Sequence, residues 1–199
     1  TTFYGAALFR LRPGDFEERL HPGGVSPAWP ISYIDLAPYY TRAEKKWQVH
    51  GKRGVDPTEP GGEADYDFPP LRHDPTVANL EKHFQGLGWH PSPMPLGIHR
   101  DDADPEKSAC IRCGTCGGYP CLVLAKSDAR TMALGPIEGA SNVTLIANAK
   151  ALRLDTNAAG TTVTKVQVEQ DGELTFYEGD LIVLAAGAVN TAAILLNSN

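Results

Sequence analysis

The segment Asp180-Leu-Ile-Val-Leu-Ala-Ala-Gly-Ala-Val-Asn-Thr-Ala-Ala-Ile-Leu-Leu-Asn-Ser-Asn199 leaves this chain few folds to choose from. Leu181 to Ala185 is a short apolar run with Gly179 and Asp180 before it and Gly187 after it, the pattern of a strand buried on both faces. Beyond Gly187 the pattern changes, and Asn190 or Thr191 is placed to cap a helix through Ile194, Leu195 and Leu196. Strand, glycine turn and helix N-terminus in that order predict an α/β protein. The turn offers free backbone N–H groups and the positive end of a helix dipole, and Ala185, Ala186 and Gly187 carry almost no side chain to obstruct a guest. A phosphate or a dinucleotide suits such a place, although the same pattern occurs in α/β proteins that bind neither.

With 199 residues, 42% of them apolar, the chain is long enough for one core, or for one domain and a satellite. A net charge of −6 without a basic stripe argues against nucleic acid and anionic membrane surfaces as partners. A small molecule or another protein is expected instead. No apolar run approaches membrane-spanning length. The chain starts at Thr1 without methionine and stops just past an apolar run, so it reads as an internal fragment, and these ends leave the compartment of a soluble protein open between cytoplasm and periplasm.

Pro13 to Pro30 is turn-rich and reads as a surface excursion. Ser32 and Asp35 have capping-box spacing, and Leu36, Tyr39, Tyr40, Ala43 and Trp47 then share a helix face until Gly51 ends it. Lys52 to Pro70 is a loop by composition. A second helix is marked by Asp74 as cap, Pro75 in the first turn, Val77, Leu80 and Phe84 on one face and Gly86 as stop. A short helix is expected over 127–137. Strands are expected at 142–147, 149–154 and 163–169, and Asp171-Gly172 is a hairpin turn into a strand over 174–177.

All four cysteines, Cys110, Cys113, Cys116 and Cys121, fall in one glycine-containing stretch. Two-residue spacers let thiolates converge on a metal, so zinc or an iron–sulfur cluster is one reading. Disulfides and unligated thiols are the others.

Four stretches together resemble the glucose-methanol-choline (GMC) oxidoreductases. These are Thr1 to Arg12, like the segment after that family's Gly-Gly-x-Ser/Thr turn; Trp29 to Glu44, like its Trp-Pro…Asp-Leu-x-Pro-Tyr-Tyr-x-x-Ala-Glu element; Cys110 to Lys126; and the closing Ala-Ala-Gly loop with Asn190-Thr191. Ala192 and Asn199 depart from the family's usual proline and glycine, and Tyr4 stands where asparagine or histidine is frequent. The resemblance implies a mixed α/β fold, a partial FAD-binding domain of GMC type with helical and loop insertions and a β-meander. It divides the chain into a flavin-proximal segment (1–30), a helical and loop region toward the substrate (31–108), and the cysteine loop with the β-rich part (109–199). It implies FAD contacts at Thr1, Tyr4, Gly5, Ala151, Ala186, Gly187 and Asn190, the one at Ala151 through main chain. The implied activity is oxidation of a CH–OH group of an alcohol or sugar by hydride transfer to flavin, with an electron-acceptor protein as a further partner. None of His21, His50, His73, His83, His90 or His99 matches a catalytic position of the family, so no catalytic residue is assigned. By itself this polypeptide is expected to bind FAD poorly and to turn over nothing. A small electron-transfer module built on the cysteines is the rival reading.

Overall fold

The computed structural model describes residues 5–198. They form two compact units, one ending at Glu138 and one beginning at Gly139. The cysteine stretch therefore groups with the helices of the first unit, not with the β-rich residues that follow it in the sequence.

The first unit is built around short strand pairings. A surface hairpin joins β1 (Arg19–His21) and β2 (Gly24–Ser26). Helix α1 (Tyr33–Lys46) begins at the expected box: the Ser32 N–H donates to Asp35 Oδ2 at 2.8 Å. It stops at Trp47, whose N–H bonds to Ala43 O at 2.8 Å, and Gln48 turns into the left-handed region (φ 50°). Gly51 therefore lies outside it, after β3 (Val49–His50) has begun. The inward face matches the expected one in part, with Leu36, Tyr40, Ala43 and Trp47 half-buried. Tyr39 is exposed, and the side turned inward carries Tyr33, Tyr40, Thr41 and Glu44 around the buried Arg10.

Helix α2 (Pro75–Gly86) has Asp74 accepting from Thr76 N (2.8 Å) and Val77 N (3.1 Å). Its stop is Gly88, at φ 80°, because Gly86 still belongs to the helix. No side chain of α2 is fully buried. Strand β4 (Leu96–Gly97) pairs with β3 on one side, Ala7 bridges to Leu96, and Ile98 bridges to Lys126. The chain passes so close here that a Cβ on Gly97 would lie 2.6 Å from Leu8 Cδ1. Val49, Ile98, Ala125 and Ala6 form the small core around this crossing. The helix expected over 127–137 is a wide turn over Arg130–Leu134 and a 3₁₀ turn over Gly135–Ile137, since Pro136 cannot continue an α-helical ladder.

The second unit is a three-stranded antiparallel meander, β5 (Ala149–Thr156), β6 (Val163–Gln170) and β7 (Glu173–Tyr177), in that spatial order. Both turn residues between β6 and β7 have positive φ, Asp171 at 50° and Gly172 at 86°, as a two-residue hairpin of matching twist requires. Helix α3 (Ala188–Leu196) packs on β5. Two expected strands are not formed. Residues 142–147 and 181–185 have no ladder partner, and Leu181 and Val183 are largely exposed. A strand buried on both faces needs flanking strands, and none of the described residues lies beside this one in a ladder.

Candidate nucleotide edge and cysteine cavity

In the second unit the open edge of the meander is β5. Asn148 O accepts from Asp171 N at 3.2 Å, which turns that carbonyl toward β6. Alternation along the strand then turns the N–H and C=O of Lys150 toward β6 and those of Ala151 away from it, to the open edge. A register shift between Ala151 and Arg153 leaves Leu152 as the extra residue of a β-bulge, and the ladder resumes at Arg153 opposite Gln167. Further along the same edge, the outward N–H of Leu154 donates to Ser198 Oγ at 2.8 Å, just past the C-terminal end of α3. Ala151 thus keeps an unpaired amide and carbonyl on an edge that α3 covers at Leu154.

At the other end of α3, the helix starts one residue after Gly187. Gly187 is the N-cap at φ 81°, and no side chain caps the first turn, so neither Asn190 nor Thr191 serves as the expected cap. Asn190 lies inside the first turn, and Thr191 N bonds back to Gly187 O at 2.8 Å. The opening amides of the helix have no intrahelical acceptor. A Cβ added at Gly187 would meet nothing within 4 Å, and Ala186 is exposed. Small residues, positive φ and free amides are the features that admit a phosphate-bearing group at close range. Ala151, Ala186, Gly187 and Asn190 all lie in the second unit.

Of the remaining predicted contacts, only Gly5, in the first unit, is among the described residues. Thr1 and Tyr4 lie outside the described residues. Gly5 is exposed and has open space where a Cβ would be. It leads into Ala6, which is buried in the left-handed region (φ 69°), with its carbonyl accepting from Gly97 N at 2.8 Å. That conformation is unfavourable for a residue with a Cβ, and nothing in the sequence announced it.

All four cysteines are free thiols. Lys126, buried beneath their loop, donates from Nζ to the carbonyls of Cys116 and Tyr119, the latter at 2.9 Å. Cys121 Sγ accepts from Ala125 N at 3.2 Å, and Cys113 Sγ lies 3.5 Å from the Thr115 hydroxyl. The Thr115 hydroxyl and N–H hold the Cys113 thiol below its ordinary value, whereas burial pushes the Cys116 thiol up. Among the described residues no group of three or more histidine, cysteine, aspartate or glutamate side chains is arranged to hold a metal ion. The loop is held instead by hydrogen bonds to its carbonyls and to Cys121 Sγ.

An aspartate invisible to motif reading anchors this region. Asp102 Oδ2 accepts from Arg72 N at 2.7 Å, Arg112 Nη2 lies 2.8 Å from both carboxylate oxygens, and Arg100 Nε completes the set. Burial works to raise this carboxyl, but the Arg72 N–H and the two guanidinium groups outweigh it and hold it at about 2.

The family model of GMC oxidoreductases matches residues 72–199. Over its full length the chain is 33% identical to 6'''-hydroxyparomomycin C oxidase of Streptomyces lividus. It is 34% identical, also over its full length, to paromamine 6'-oxidase of Streptomyces fradiae. Each of these alignments covers 36% of the relative. A stretch covering 45% of the chain is 32% identical to 2-methyl-1,2-propanediol dehydrogenase of Mycolicibacterium austroafricanum, of which it covers 16%. The chain thus spans little more than a third of the two relatives that it matches from end to end. The family match runs through the cysteine loop, the meander and α3, and this chain belongs to the GMC oxidoreductases.

Proposed function

We propose that this chain forms part of the FAD seat of an oxidoreductase that acts on a CH–OH group of an alcohol or sugar. The observation that carries the reading is the outward amide and carbonyl of Ala151, on the same unit as the uncapped start of α3 at Gly187. An adenine edge presents a donor and an acceptor side by side, and one residue at an open strand edge offers the complementary pair. The opening amides of α3 suit phosphate or the polar rim of a flavin, and Gly187 lets them approach without a side chain between. Ala186 and Asn190 line the same turn, and Gly5 is the described one of the three contacts proposed in the flavin-proximal segment. Bound FAD would supply the hydride acceptor. What these residues do is bind and orient.

Two relatives are named for oxidation of paromamine and of a hydroxyparomomycin, so an aminoglycoside alcohol is the substrate class to try first. No residue of this chain is assigned as acid or base. An electron-acceptor protein remains part of the proposal only for a dehydrogenase, since an oxidase passes electrons to oxygen.

The test uses the protein from the complete reading frame. Its visible spectrum should show flavin bands that bleach when aminoglycoside is added without air. Ala186→Leu should abolish FAD retention while circular dichroism stays unchanged, because Ala186 is exposed and outside the left-handed region, so the added side chain strains no backbone but stands where the cofactor would lie. A colourless protein that stays colourless with added FAD would remove the proposal.

A further inference from the structure

A cavity of about 630 Å³ in the first unit is lined by Cys110, Cys113 and Cys116, with Leu96 and Ile98 among its apolar side chains. Three guanidinium groups share its wall with one carboxylate, Asp74, which is taken up by the opening amides of α2. Those of Arg100 and Arg112 are engaged by Asp102. Arg72 is different. Its N–H donates to Asp102 Oδ2 at 2.7 Å and its carbonyl accepts from Arg112 Nη2 at 3.1 Å, so the backbone is pinned on both sides. Its guanidinium has no partner among the described residues and faces this cavity and a neighbouring one of about 640 Å³. Cys113 is exposed, Cys116 is half-buried, and only Gly114 and Thr115 separate them.

We propose that this cavity is a thiol–disulfide exchange site for small anionic disulfides, with Arg72 holding a carboxylate of the reagent, Cys113 attacking and Cys116 resolving. An apolar floor beside a positive wall suits a small molecule with a carbon body and carboxylate ends. In the first step the Cys113 thiolate attacks one sulfur of the disulfide. A Cys113–reagent bond forms, the reagent's S–S bond breaks, and one reagent thiolate leaves with the electron pair and takes up a proton. In the second step Cys116, having lost its proton to solvent, attacks Cys113 Sγ, and the other reagent thiolate departs. The two protein thiols are oxidised to one disulfide, and the reagent disulfide is reduced to two thiols. The proposal does not depend on the flavin reading.

The test is alkylation of the full-length protein with its cofactor bound, using iodoacetate and its neutral counterpart iodoacetamide, read by peptide mass. Cys113 should react ahead of Cys116 and Cys121. Arg72→Gln should lower the iodoacetate-to-iodoacetamide rate ratio at Cys113 by about tenfold, the loss of one charge-assisted contact, while leaving the iodoacetamide rate unchanged. The dianionic disulfide dithiobis-nitrobenzoate should leave a Cys113–Cys116 link in the peptide map. In Cys116→Ser the reaction should halt at the mixed disulfide on Cys113. An unchanged ratio in Arg72→Gln, or a link between other cysteines, would overturn the proposal. So would a Cys113 that reacts only after flavin or metal has been stripped away, since the thiols would then belong to a bound ligand.

Discussion

Glu44 holds two guanidinium groups at once. Arg10 donates to its two oxygens at 2.7 and 2.6 Å, and Arg53 Nη2 lies 2.8 Å from each. The Arg10 side chain is only 2% exposed, so removing the shared carboxylate leaves a buried cation with Glu63, at 3.3 Å, as its remaining counter-charge. We expect Glu44→Ala to lose roughly 3 kcal/mol, the lower end of what breaking a buried pair costs because Glu63 persists, read as a shift in the urea midpoint. Asp102 makes a pH-dependent counterpart. Its folded value of about 2 lies below the ordinary 3.8, so the stabilisation it gives is fully present above the ordinary value and is lost as pH falls toward 2. Asp102→Asn should therefore lower the melting temperature at neutral pH and flatten its decline between pH 4 and pH 2, as about two titration units of linkage are removed. A decline of unchanged steepness would mean that other carboxylates govern acid unfolding.

Elements whose chemistry is local were legible in the sequence. Ser32 with Asp35, Asp74 with Pro75, and Asp171 with Gly172 each act within three residues of themselves, and all three do what their spacing predicts. The hairpin gives a direct check. Gly172 sits at φ 86°, so Gly172→Ala should cost about 1–2 kcal/mol in thermal or urea unfolding without altering the ladder of β5 on β6. Elements that depend on distant partners were not legible. The run at 181–185 has the composition of a doubly buried strand, yet pairing is supplied by neighbours and not by composition. The inward face of α1 was legible at Leu36, Tyr40, Ala43 and Trp47 but not at Tyr33 and Glu44, because polar residues escape a search for apolar periodicity; Arg10, far away in sequence, draws them inward. The candidate site divides in the same way. The Ala-Ala-Gly turn and Ala151 could be named from the resemblance, but the bulge at Leu152 arises from register against β6. The Arg72–Asp102–Arg112 anchor joins residues that are 30 and 10 positions apart.

Across the whole molecule the two units are held by different means. The first relies on charged and polar clusters around a few crossing segments, with a core of Ala6, Val49, Ile98 and Ala125 and the aromatic rings of Phe16 and Tyr33. The second relies on backbone ladders and one docked helix. Ionic strength and pH should therefore act mainly on the first, and hydrogen exchange should be slowest along β6, the only strand of the meander paired on both sides. The edge of β5 has a less welcome side. The outward amide and carbonyl of Ala151 are equally a template for a strand from another molecule, and the Ser198 hydroxyl shields only the stretch at Leu154. On the proposed FAD reading, an emptied protein should self-associate through this edge, and light scattering should rise on stripping FAD and fall again when adenine nucleotide is restored. A cofactor seated on such an edge would also be a guard against aggregation.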